Sequence, residues 1–328
     1  MKAIVNTGPN TLEWLDWPLP RPARGQVRIR TGACGICATD LHMIAGWART
    51  GFPAIPGHEW AGVVDEVGID VDETLAGKYC VGENILTAGG EVGFEYPGGY
   101  GEFFITEARN LYLIPDDFPM TLATLVEPLA VSVRALRKIR LEQSDSVLIF
   151  GDGPIGLLVL MLIQHTGIKH ILLVGGREGH LSVARELGAS QTMNYHNIDG
   201  NLAVAVENEA KMKFPVVVEA SGSGTAIQAS LNLVQPCGQI LVLGDYGSAS
   251  ANFMWNHLLH QEIEIIGSNA SAGAWPEAVQ LAIKGSLPIN RVVTHIIPAQ
   301  QYNAGIELTR RRSGEVIKVV LDWNNRVL

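Results

Sequence analysis

The chain has 328 residues, long enough for two domains, and 47% of them are hydrophobic against 17% charged, which excludes a disordered chain. Its 33 acids and 24 basic residues give a formal charge of −9, so no nucleic-acid partner is expected. The N-terminus "MKAIVNTGPN" has no signal-peptide core, and the longest apolar run, Ile155 to Ile163, is about half the ~18 residues a membrane span needs, so a cytoplasmic protein with no membrane partner is expected. The first ~125 residues read as short strands punctuated by Gly and Pro, as in "WPLPRPARG", "GFPAIPGHE" and "YPGGYG". Within them "VRIRTGAC" alternates Val27, Ile29 and Thr31 against Arg28, Arg30 and Gly32, the period of a half-buried strand.

From about Glu127 the texture changes. "SVLIF" is a short apolar strand ending at "GDGPIG", and "PIGLLVLMLIQHTG" is an apolar helix with Pro154 in its first turn and Gly167 after its end. The strand "HILLVG" follows, then the helix "EGHLSVARELGA", the strand "PVVVEA", the helix "GTAIQASLNLV" and the strand "GQILVLG". Apolar strands alternating with helices predict a doubly wound parallel sheet, so the fold class is α/β. After about Ser268 the sequence predicts one more helix, "WPEAVQLAIKG", and one strand, "EVIKVVLDW". "RRR" at Arg310–Arg312 is the only basic cluster and reads as the solvated end of a helix.

Gly151, Gly153 and Gly156 form a G-x-G-x-x-G loop between a strand and a helix, the context that makes this pattern a dinucleotide site. Gly151 makes the tight turn, Gly153 admits a pyrophosphate, and Gly156 lets helix and strand pack closely. Pro154 and Ile155 complete the phosphate-binding turn, whose helix N-terminus offers free N–H groups. An NAD site normally carries an acid at the end of the second strand. Here that place reads "VGGRE": Gly175 and Gly176 replace the acid, and Arg177 can clamp a 2′-phosphate. NADP is therefore favoured over NAD, with Glu178 the nearest acid that could serve an NAD ribose.

The stretch "GICATDLH" holds Cys37, Thr39 and His42, "PGHEW" holds His58 and Glu59, and "LVEPLA" holds Glu127. Cysteine, histidine and carboxylate are the usual ligands of a catalytic zinc. His58 and Glu59 would face opposite ways on a regular strand, but after Pro56 and Gly57 both can turn to one ion. Cys34, Cys37, Cys80 and Cys237 lack the spacing of a disulfide framework, so the thiols serve metals, reactivity or packing. The aromatic residues Trp47, Phe94, Tyr96, Tyr246 and Trp275 are candidates for the substrate pocket or for ordinary core.

Taken together, "CGICATDLH", "GHEWAGVVDEVG", "LVEPLA", "GDGPIG" and "EASGSG" resemble the zinc-dependent medium-chain dehydrogenase/reductase family, on its polyol and threonine dehydrogenase branch. The resemblance runs over nearly the whole chain. It implies a β-rich GroES-like catalytic domain in two pieces, residues 1–128 and 269–328, around a Rossmann NAD(P)-binding domain at 129–268. It implies one catalytic Zn²⁺ with Cys37, His58, Glu59 and Glu127 as ligands or close partners. Thr39 then matches the hydroxyl that touches the reacting oxygen, His42 the end of a proton relay, and Ser221 of "EASGSG" a cofactor contact. Cys34 falls outside the ligand position and reads as structural, and Asp40 reads as holding the local structure or a ligand. The implied reaction is reversible oxidation of a polyol, sugar or secondary alcohol. The alternatives are a zinc-independent quinone or enone reductase and a cofactor-binding protein without turnover. The family's lobe of four cysteines has no counterpart in "GENILTAGGEVGFEYPGGY", so a single zinc is expected per chain. "FMWNHLLHQEIEIIGS" resembles the edge through which family members pair, which implies a homodimer or homotetramer.

Overall fold

The computed structural model describes residues 1–142, 146–311 and 313–324. In chain order the first strands are β1 (Lys2–Gly8), β2 (Thr11–Asp16) and β3 (Gln26–Ile36), which leads directly into helix α1 (Ala38–Ala45). Next come β4 (Glu59–Val67), β5 (Tyr79–Gly82), β6 (Phe103–Glu107) and β7 (Leu111–Leu113), then α2 (Met120–Ala123) and α3 (Val126–Leu136). The middle of the chain alternates β8 (Ser146–Phe150), α4 (Pro154–His165), β9 (His170–Gly175), α5 (Glu178–Glu186), β10 (Gln191–Asn194) and α6 (Leu202–Ala210). It continues with β11 (Phe214–Glu219), α7 (Gly224–Leu233), β12 (Val234–Val242), α8 (Trp255–His260) and β13 (Glu264–Gly267). The chain closes with α9 (Trp275–Ile283), β14 (Val293–Pro298), α10 (Tyr302–Arg311) and β15 (Lys318–Asp322).

These elements form two units, Met1–Ala130 with Trp275–Leu328, and Val131–Ala274. In the first unit a seven-stranded sheet runs β14-β15-β3-β4-β5-β7, with β6 also paired to β3, and β1 and β2 form a separate hairpin. On β3 Val27, Ile29 and Thr31 are buried while Arg30 is exposed, as the alternation predicts. The register sets Glu59 across from Gly35 on one side of β3 and Val319 across from Ile36 on the other. Three segments distant in sequence therefore end beside Cys37.

The second unit is a six-stranded sheet of order β10-β9-β8-β11-β12-β13, every neighbour parallel. α4 is buried from Gly156 to Ile163, in keeping with a helix that is apolar all round. Register aligns Phe150 of β8 with Val174 of β9 and Glu219 of β11, so the loops after these strands emerge side by side at the carboxyl edge. In a sheet of this strand order, that edge is where a dinucleotide binds.

The C-terminal segment holds more than the single helix and strand read from sequence. β14 and α10 also form, and α10 carries Gly305 at its centre. Glycine weakens a helix by about 1 kcal/mol, which hides it from propensity. The glycine lets α10 pack tightly on the sheet, since a Cβ there would lie 2.9 Å from Ile36 Cδ1 and the end of that side chain would have to shift. Of the basic cluster, Arg310 and Arg311 pair with Glu307 on the exposed side of α10, and Arg312 lies outside the described residues. No described helix is long and apolar enough to cross a membrane.

Candidate active site

Cys37 follows the last residue of β3 and caps α1, and its backbone N–H donates to Asp40 Oδ2 at 2.8 Å. Gly57 has φ +103°, a left-handed conformation that redirects the chain before β4, and a Cβ there would strike the Tyr100 ring and the Cys34 sulfur. This turn, together with the return through β4, brings ligand atoms of Cys37, His58 and Glu59 within 4.8 Å of one another. His58 and Glu59 are buried at 6% and 1% exposure and Cys37 is half-buried, a mixed S/N/O donor set that fits a zinc ion.

Asp40 is fully buried, and its Oδ1 stands 3.2 Å from His58 Nδ1. The contact is short but not aligned as a hydrogen bond, and each of the two atoms is otherwise orphaned. Nε2 remains as the nitrogen for an ion, the usual arrangement of a carboxylate-oriented ligand histidine. Asp40 thus links the segment of Cys37 to that of His58, in keeping with a residue that holds the local structure or a ligand. Burial pushes the His58 imidazolium down, and the Asp40 carboxylate and Cys37 more than offset it, holding the group well above its ordinary value.

Thr39 Oγ1 lies 3.6 Å from Cys37 Sγ, and His42, one turn further along α1, is exposed. Glu127 falls outside the three-residue group, but its carboxyl is enclosed near it. Desolvation, opposed by His58, pushes that carboxyl up to about 7. Cys34 is buried with Sγ 3.6 Å from Gly35 O, and burial raises its thiol far above the ordinary range, so it is a packing residue. Cys80 is likewise buried on β5, its thiol pushed up to about 12 by desolvation.

Sequence reasoning missed several neighbours. Lys318, 4% exposed on β15, places Nζ 2.7 Å from both oxygens of Glu59. Burial pushes its ammonium down, yet Glu59 and Cys37 more than compensate and raise it. Its one sequence signal is a lysine inside the apolar run "VIKVVL", which requires a buried partner. Gly35 is needed because a Cβ there would lie 2.2 Å from Glu59 Oε2. Among the aromatic candidates, the Phe94 ring packs on His58 at 4.8 Å, and Arg49 lies 4.5 Å over the Phe94 ring and 5.5 Å over Trp47. Arg49 in turn pairs with Glu91 at 2.7 Å and Glu95 at 2.6 Å. Tyr246 instead donates to Glu219 in the second unit, and Trp275 stacks on Tyr112 in the buried core.

In the second unit, Gly151 has φ +117°, and Gly153 precedes α4 with Pro154 in the first turn. A Cβ on Gly156 would lie 2.0 Å from Gly151 O, whereas one on Gly153 would meet nothing nearer than Arg177 Nη2 at 4.0 Å. Close packing below and open space above make the cradle that a pyrophosphate requires. The Ser221 hydroxyl donates to Glu219 Oε1 and accepts from Ser223 N at 3.2 Å, so it is engaged within its own loop. Glu178, the nearest acid after β9, is held by Arg185 at 2.8 Å.

Residues 154–284 match the zinc-binding dehydrogenase family, and residues 23–116 match the alcohol dehydrogenase GroES-like domain. An L-threonine 3-dehydrogenase of Anaeromyxobacter sp. (strain Fw109-5) is 30% identical over 347 residues, covering 98% of this chain and 99% of that protein. The chain is a zinc-type medium-chain dehydrogenase/reductase. It is an NAD(P)-dependent oxidoreductase of the alcohol dehydrogenase type, with zinc as the family's metal. A D-arabitol-phosphate dehydrogenase of Enterococcus avium is 28% identical over 349 residues, covering 99% of this chain and 98% of that one. The dehydrogenase also shares its fold with an alcohol dehydrogenase of E. coli CFT073 solved with NADH, at a TM-score of 0.92, 23% identity and coverage of 98% and 99%.

Proposed function

We propose that this dehydrogenase interconverts a polar secondary alcohol, a polyol, sugar or hydroxylated amino acid, and its ketone, with NADP as the preferred coenzyme. The catalytic domain of this reading comprises residues 1–128 and 269–328, and the cofactor domain residues 129–268. Bound zinc supplies Lewis acidity toward the substrate oxygen, and the nicotinamide supplies hydride chemistry. Cys37, His58 and Glu59 hold the metal, and Glu127 stands by as a further ligand or as a hydrogen-bond partner of the substrate oxygen. Thr39 takes the alcohol proton, and His42 exchanges it with solvent, a task suited to its exposed place on α1. Gly151, Gly153, Pro154, Ile155 and Gly156 receive the pyrophosphate, with Ser221 positioning the adjoining loop. Arg177 receives a 2′-phosphate.

The observation that carries this reading is the Cys37–His58–Glu59 group, its ligand atoms within 4.8 Å of one another and its His58 and Glu59 buried, with the Thr39 hydroxyl 3.6 Å from the Cys37 sulfur. A polar substrate is supported by Arg49, which lies over the Phe94 ring that backs His58 and is paired with Glu91 and Glu95. The two relatives named above act on L-threonine and D-arabitol phosphate, both polar alcohols. A reducing cytoplasm suits a site built on the free Cys37 thiol. A second copy of the chain is the partner, docking on the β13 edge, where Met254, Trp255 and Leu259 are 77%, 67% and 66% exposed.

The test is metal analysis joined to a polyol and secondary-alcohol panel with both coenzymes. About one zinc per chain is expected, and Cys37→Ser should lose zinc and turnover while keeping its circular dichroism. Full alcohol oxidation by zinc-stripped Cys37→Ser would refute the reading.

A further inference from the structure

The middle residue of the glycine loop, Asp152, does more than fill a variable position. It is 5% exposed and turns from the end of β8 toward the turn after β9. Its Oδ2 accepts from Gly176 N at 3.0 Å and from Arg177 N at 2.8 Å. Its Oδ1 accepts from Arg177 Nε at 3.1 Å and from Arg177 Nη2. Its backbone carbonyl meets His180 Nδ1 at 2.7 Å.

Two steric facts accompany these bonds. A Cβ on Gly175 would lie 2.5 Å from the Asp152 side chain, and one on Gly176 would lie 2.5 Å from the Tyr195 ring. A side chain at Gly175 would run into the buried Asp152, and one at Gly176 would have to displace the ring tip of the exposed Tyr195. A carboxylate reaches that turn from the first loop instead. Two oxygens offer about four acceptor sites, and four N–H donors already fill them. While Arg177 stays paired, Asp152 has none left for a ribose hydroxyl. Arg177 in turn has its Nε–Nη2 edge committed and its charge offset, leaving Nη1 and one Nη2 proton for an incoming anion.

We propose that Asp152 sets the coenzyme choice by competing with a 2′-phosphate for Arg177, so that the preference for NADP is tempered and NAD is also accepted. This rests on the reading that Arg177 receives the 2′-phosphate. Asp152 acts through Arg177 and is a positioning residue. The unmodified pair lowers affinity for a dianion beside it and leaves a neutral 2′-hydroxyl nearly unaffected, so its signature is a ratio rather than an absolute affinity.

The experiment measures Kd for NADP and for NAD by titration calorimetry on the full chain, with thermal melts to confirm folding. In Asp152→Asn the ratio Kd(NAD)/Kd(NADP) should rise about tenfold, the scale of one charge-assisted contact released. Asp152→Ala, which removes the carboxylate and adds no amide against the guanidinium, should shift the ratio the same way. Loosening of the loop affects both coenzymes and cancels in the ratio. A ratio that is unchanged or falls in either folded variant overturns the proposal. Arg177→Ala is the separate control: NADP affinity should fall at least tenfold, and if it does not, the underlying placement of the 2′-phosphate is wrong instead.

Discussion

Glu59 has one buried cation as its partner and also stands in the candidate metal group. Lys318 binds both of its oxygens at 2.7 Å, and the same side chain contributes an atom to the cluster with Cys37 and His58. Breaking a buried pair leaves an uncompensated charge and costs about 3–5 kcal/mol. A zinc ion beside Glu59 would supply part of the missing counter-charge. Lys318→Met is therefore expected to lose about 3 kcal/mol of stability in EDTA and clearly less with zinc bound, read as melting temperatures in both conditions. Equal losses would mean that Glu59 does not face the ion. Lys318 is also the clearest case of a residue that local pattern could flag but not assign. A lysine in an apolar strand demands a partner, and only the pairing of β15 with β3 identifies it.

At the scale of elements, the two reacting halves are built by the same device, a strand that ends in a turn and a helix. β3 delivers Cys37 to the start of α1, and β8 delivers Gly151 and Gly153 to the start of α4. The second was plain in the sequence because glycine spacing, apolar strand and apolar helix all agree. It also makes the sharper prediction. Gly156→Ala would force a methyl against Gly151 O at 2.0 Å, and since backbone cannot swing aside as a side chain can, loop and helix must separate. The expected result is a loss of about 1–3 kcal/mol and loss of dinucleotide binding by calorimetry, with zinc content unchanged because the candidate ligands lie in the other unit. Wild-type coenzyme affinity in this variant would show that the close approach is not needed. α10 marks the opposite limit: its basic end at Arg310 and Arg311 was legible as a solvated helix end, but its body, with Gly305 packed on Ile36, was not.

For the whole molecule, each unit carries its own buried core, one around Trp60, Tyr100, Phe104 and Val319, the other around Leu148, Phe150, Val217 and Ile240. What neither core covers is the apolar surface of α8 beside the edge strand β13, where Ile265 is also 37% exposed. Light scattering at micromolar concentration should find a dimer or a higher assembly, and Trp255→Glu with Leu259→Glu should yield a folded monomer. A monomeric wild type would remove this surface as an interface. The sequence by itself determined the parallel sheet and the glycine loop, and it singled out Cys37, His58 and Glu59 as candidate metal donors, because periodicity, glycine spacing and donor chemistry are local properties of the chain. Tertiary structure alone decided that Lys318 shares Glu59, that Asp40 braces His58, and that Asp152 has already taken Arg177. Each of these depends on strands far apart in the sequence lying side by side, and on charges that find their partners only once water has been excluded from between them.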